Sequence, residues 1–196
     1  NLDPELRVTL RYELRTIVRQ AGMTTVLVTH DQSEAFALAD RIAVMHQGRL
    51  HQLADPEALY HRPASRFVAG FVGQAQFIAG HVYDGYVHTE LGPFRTQGAL
   101  PSGTRAEALL RPNDLFVRLD SHGAARVIGR EFGGATVRYT VQLPSAQVID
   151  VIQPSAHLIA LDSLVRVELL PREPVVFPVD HTTLRSEQLL AHSAGQ

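Results

Sequence analysis

The chain has 196 residues, 45% hydrophobic and 19% charged, with a formal net charge of −2 and no cysteine. This is ordinary composition for a globular chain of one domain or two small ones. It excludes disulfides, thiolate metal sites and cysteine nucleophiles, gives no basic field for nucleic acid, and holds no apolar run near the ~20 residues that span a bilayer.

Asp3-Pro4-Glu5 carries a cap, a first-turn proline and an acid that suits the helix dipole. Leu6, Leu10, Leu14, Ile17 and Val18 follow at helical spacing, and Gly22 closes the helix. The chain opens without Met, directly on this helix signal, as expected of a fragment or a processed chain. Thr24 to Thr29 is β-branched and apolar at its centre, which predicts a buried strand of a parallel sheet with helices on its faces. Asp31 to Glu34 then start a helix that packs inward through Ala35, Phe36, Leu38 and Ala39.

A hairpin follows: residues 41–45, a Gln47-Gly48 turn, and residues 49–53. Asp55-Pro56-Glu57 caps a short helix through Tyr60, and residues 64–72 form another with Phe67, Val68, Phe71 and Val72 as its stripe. After Gly73 the texture changes to short β-like runs split by Gly, Pro, Asp and Ser, at 81–83, 86–89, 107–111, 115–119, 124–129, 135–143, 148–152 and 164–170. Short strands at regular spacing predict a small barrel or sandwich. Residues 181–196 are polar and read as a tail.

Val26-Leu27-Val28-Thr29-His30-Asp31 is the sharpest local feature. It sets His30 at the carboxyl end of the predicted strand, the edge where open α/β sheets bind ligands. There an imidazole can hydrogen-bond a phosphate or a water. It can equally be a satisfied histidine in a strand–helix turn, and this segment alone leaves both readings open.

In order, the chain reads Asn1-Leu2-Asp3, helix, strand, His30-Asp31-Gln32-Ser33-Glu34-Ala35, Ala39-Asp40-Arg41-Ile42-Ala43-Val44-Met45, Gly48 and Asp55-Pro56. This resembles the end of an ABC transporter ATPase domain. The stretch from Asp55 to Pro63, with Arg66-Phe67-Val68-Ala69 and Phe71-Val72-Gly73, resembles the importer subgroup with a C-terminal β-domain called TOBE. Arg111-Pro112-Asn113-Asp114-Leu115 resembles a motif of that domain, with Asn113 where an acid is commoner. The resemblance covers roughly residues 1 to 180.

It implies an α/β remnant of an ABC ATPase domain over residues 1–73, an all-β, OB-like barrel or sandwich over 74–180, and a tail over 181–196. It implies that His30 is the switch histidine that contacts the γ-phosphate, and that Asn1, Leu2 and Asp3 form the D-loop, which reaches across an ATPase dimer. The parent subunit then uses ATP and Mg²⁺, forms a homodimer, and docks on membrane permease subunits at the inner face of the cell membrane. An external solute-binding protein is an indirect partner. The subgroup serves sugars, polyamines, oxyanions and ferric iron, with ferric iron first.

The 196 residues contain no Gly-x-x-x-x-Gly-Lys-Ser/Thr loop, no Leu-Ser-Gly-Gly-Gln signature and no Walker B acidic pair. The chain alone is therefore expected neither to hydrolyse ATP nor to hold Mg²⁺. A regulatory module that captures a small oxyanion is the alternative. His46 and His51 fall close together on the predicted hairpin without a carboxylate or cysteine to complete a metal set. The arginines of the β-region have too few aromatics among them for single-stranded nucleic acid. The Leu6, Leu10, Leu14 stripe and the predicted strand lack neighbours within the chain, so a dimer that buries them is expected.

Overall fold

The computed structural model describes residues 4–170 and 173–179. It separates into two compact units, Asn1–Gly73 and Gln74–Gln196. The expected tail, 181–196, lies outside the described residues.

The first unit opens with α1 (Pro4–Gln20), followed by α2 (Gln32–Leu38). Three arginines spaced four apart on α1 hold the second helix. Arg11 pairs with Asp31 at 2.8 Å, Arg15 donates to the Ala37 carbonyl at 3.1 Å, and Arg19 meets Asp40 at 3.0 Å. This spacing puts all three on one face of α1. The apolar stripe of α1 stays exposed, with Leu6, Leu10 and Leu14 each more than two-fifths accessible.

The predicted buried strand at Thr24–Thr29 does not form. Residues 23–29 carry no regular secondary structure, and Val26 and Val28 are 86% and 92% exposed. β-branched composition favours a strand only where a neighbour completes the hydrogen-bond ladder. The unit's strands β1 (Ile42–His46) and β2 (Arg49–Ala54) pair with each other alone. Gln47 and Gly48 turn that hairpin with φ of 48° and 73°, the left-handed pair that suits strand twist.

Helix α3 (Pro56–His61) starts on Asp55, which accepts from the Ala58 N–H at 2.8 Å, and α4 (Arg66–Phe71) on Ser65, which accepts from Val68. Between them the Gln52 side chain clamps the loop, donating to the Arg62 carbonyl and accepting from the Ala64 N–H. Val44, Leu59, Val68 and Val72 form the unit's small core, with Phe36, Ile42 and Ala54 against it.

The second unit is all antiparallel β. One five-stranded sheet runs β12 (Val176–Pro178), β6 (Arg105–Leu110), β3 (Gln76–Tyr83), β4 (Tyr86–Thr89), β5 (Gly92–Arg95). The other runs β10 (Val148–Pro154), β9 (Thr136–Gln142), β8 (Ala125–Phe132), β11 (Leu164–Leu169), β7 (Leu115–Leu119). Strict alternation along β3, β9 and β10 sends one face into a shared core that includes Ile78, Val82, Leu110, Val127, Tyr139, Val141 and Val151.

The edges of the second sheet come together, and the Val117 N–H of β7 donates to the buried Gln153 Oε1 of β10 at 2.9 Å. A side chain thus continues the ladder where two edge strands meet, as in a partly open barrel. Between the sheets, Gln76 exchanges two hydrogen bonds with the Asp150 backbone, at 2.8 and 2.5 Å. The buried Tyr139 hydroxyl accepts from the Ile159 N–H at 2.9 Å. The second unit is an OB-like β-domain, and the first is a small segment of helices and one hairpin.

Candidate functional site

His30 sits in a bend between the irregular segment and α2, with its side chain exposed. The backbone is fixed on both sides of it. The Asp31 N–H donates to Thr29 Oγ1 at 3.0 Å, closing a tight polar turn around His30. Asp31 then caps α2, its Oδ1 accepting from the Glu34 N–H at 3.1 Å while its Oδ2 takes Arg11. Asp31 is thus held by a helix dipole and a guanidinium, and the neighbouring imidazole is presented outward from a set position. An imidazole so placed can donate to an anionic oxygen or exchange a proton with water.

The other expected site residues, Asn1, Leu2 and Asp3, lie outside the described residues. The structure therefore describes one member of the expected constellation. Arg11 and Asp31 were not foreseen as a pair. Arg11 is twenty positions from Asp31, and only the packing of α1 on α2 brings them together.

The Arg111-Pro112-Asn113-Asp114 motif forms a 3₁₀ turn between β6 and β7. Arg111 is only 2% exposed and donates to the Gln74 carbonyl at 2.9 Å. Arg138, paired with Asp150 at 3.1 Å, donates to the Gln74 side chain. Two arginines thus fix the first residue of the β-unit, a role for the motif that is structural on its face. Asn113 is exposed.

Elsewhere in the unit, His81 lies opposite both His88 and Arg105 across neighbouring strands, in a shallow depression also lined by Thr89 and Glu90. The Glu90 carboxylate is engaged by the Ser145 N–H at 3.0 Å. Asp120 holds its carboxyl below the usual aspartate range, first because the His122 N–H donates to it and then because Arg166 stands at 2.9 Å. Among the described residues no cluster of three or more histidine and acidic side chains could hold a metal ion, and no helix is long and apolar enough to cross a membrane.

A family model described as the TOBE domain matches residues 108–177. Three relatives match over much of the chain. One carries the name of an ATP-binding protein in Brucella abortus, 36% identical over 181 residues, covering 83% of this chain and 52% of that one. A spermidine/putrescine import ATP-binding protein of Lawsonia intracellularis is 36% identical over 157 residues, 72% of this chain and 43% of that one. An Fe(3+) ions import ATP-binding protein of Rhizobium meliloti is 42% identical over 127 residues, 63% of this chain and 31% of that one. The chain spans about half the length, or less, of these relatives.

Proposed function

From a chain that carries a TOBE domain and is related to the ATP-binding subunits of ABC importers, we propose that it works as the C-terminal portion of such a subunit, in a protein that couples ATP hydrolysis to solute uptake. The observation that carries this is the relationship along most of the chain to an ATP-binding protein and to a protein named for spermidine/putrescine import.

Within that reading His30 is the switch histidine. Thr29 and Asp31 pin its backbone and leave the imidazole exposed, as a donor to a terminal phosphate oxygen must be. Fixed donors stabilise the charge that spreads over phosphoryl oxygens in the transition state. Asn1, Leu2 and Asp3 are the D-loop, contributed across a homodimer. Nucleotide and Mg²⁺ do not fit on this chain's residues alone. The 196 residues hold no phosphate loop. Both ligands belong to the whole subunit.

The β-domain serves assembly and regulation, and the subunit sits on permease subunits at the inner face of the membrane. Ferric iron is the cargo we favour, on the 42% identity to the iron importer's subunit. Spermidine or putrescine is the second reading, supported by a relative that aligns over more of the chain. The test is reconstitution of the complete polypeptide with the permease encoded beside it. Solute-stimulated ATP hydrolysis by the assembled complex supports the proposal. Failure to associate with any permease, or hydrolysis without one at the full rate, contradicts it.

A further inference from the structure

Two imidazoles and two phenyl rings gather on the hairpin side of the first unit. His46 ends β1, and His51 lies on β2 at a β-bulge. The register passes from Val44 opposite Gln52 to Met45 opposite Leu50, so His51 is the residue left over. A bulge re-aims the side chain of its extra residue. Here the ring centre of His51 comes 6.0 Å from that of His46. Phe67 of α4 lies against both rings, 4.8 Å from His46 and 4.5 Å from His51, and stacks in turn on Phe71 at 5.8 Å. The two imidazoles therefore share one apolar wall and stand open to solvent.

The spacing suits a shared ion. A metal about 2.0–2.1 Å from a ring nitrogen lies roughly 3.2 Å from that ring's centre, so two imidazoles on one ion have centres about 5.2 Å apart at a tetrahedral angle and about 6.4 Å apart in line. The observed 6.0 Å falls between these limits. Imidazole selects late first-row divalent ions, and with two protein ligands water fills the other positions.

We propose that His46 and His51 form a two-imidazole site for a late first-row divalent cation, built by the β2 bulge and backed by Phe67. The ion would staple β1 to β2 beside their turn. The site lies outside the import reading and stands or falls without it.

The test is calorimetric titration of the full chain with Zn²⁺, alongside nuclear magnetic resonance of the imidazole side chains. One ion per chain is expected, with His46 and His51 shifting together. His46→Ala and His51→Ala should each weaken binding at least tenfold and leave the amide spectrum otherwise folded. Hydrogen exchange of the β1 and β2 amides should slow when Zn²⁺ is added to the parent and be unchanged in either variant. No heat of binding at submillimolar Zn²⁺, or parental affinity in both variants, overturns the proposal. So does loss of binding on His81→Ala or His88→Ala with His46 and His51 intact.

Discussion

Replacing Gln153 by Met tests how the β-domain barrel closes. The substitution keeps an unbranched side chain of similar length and removes the one acceptor that serves the Val117 N–H at 2.9 Å. Val117 and Gln153 are 1% and 6% exposed, so water cannot readily take the acceptor's place. Leaving a buried amide unsatisfied costs about 1–3 kcal/mol. Taking the middle of that range, ~2 kcal/mol in a domain of this size lowers the melting temperature by about 8–16 °C. Scanning calorimetry of the full chain reads this directly, with exposed Gln142→Met as the control, expected within ~0.5 kcal/mol of the parent. Amide exchange supplies a local readout, because the Val117 N–H should lose protection before the rest of β7. A melting temperature unchanged in Gln153→Met, with Val117 still protected, would refute closure through this side chain.

Asp31→Ala removes both the α2 cap and the partner of Arg11. It should destabilise the first unit by about 1–2 kcal/mol in denaturant titration, and unchanged amide protection in α2 would count against the capping role. Gly123→Ala places a Cβ 2.4 Å from the Val165 backbone, where nothing flexible can yield. A loss of about 1–3 kcal/mol is expected by thermal melting, and a parental melting point would mean that the turn relaxes freely. Asp120 has a lowered pKa, so the stability it adds is present above its unfolded value near ~3.9 and disappears as pH falls through its folded value. The melting-point gap between parent and Asp120→Asn should therefore be open at neutral pH and close in acid below about pH 4. A gap that stays constant across that range would remove the linkage.

Much of the β-domain is legible from short β-like runs split by turn formers at regular spacing. The segments that became β4, β6, β7, β9, β10 and β11 are such runs, and each forms near its expected place. Two strands were not foreseen. β5 begins Gly92-Pro93, residues that argue against a strand, and exists as an edge beside β4. β12 has three residues and ends in Pro178, tolerable only at a sheet edge.

The opposite error occurs at Thr24–Thr29, where composition promises a strand that finds no partner. Local pattern reports what a segment can do beside a neighbour and carries no information on whether the neighbour is there. Gln153 and Tyr139 look like ordinary polar residues in sequence, and Arg111 stands out there only as part of a motif. Their roles come from contacts 20 to 37 positions away, which periodicity cannot see. Of the expected site residues only His30 lies among the described ones, and its expected role comes from resemblance more than from pattern. Its support by Arg11 and Asp31 required the packing of two helices.

On the proposed function, His30 acts on nucleotide in a complete import ATPase. The most direct test is the complete subunit carrying His30→Ala, assayed for both nucleotide affinity and steady-state hydrolysis. Affinity should remain within a few-fold of the parent while turnover falls on the order of 10²-fold or more, the loss expected when one positioned donor leaves a phosphoryl transition state. Turnover within twofold of the parent, with nucleotide bound normally, would contradict this role for His30.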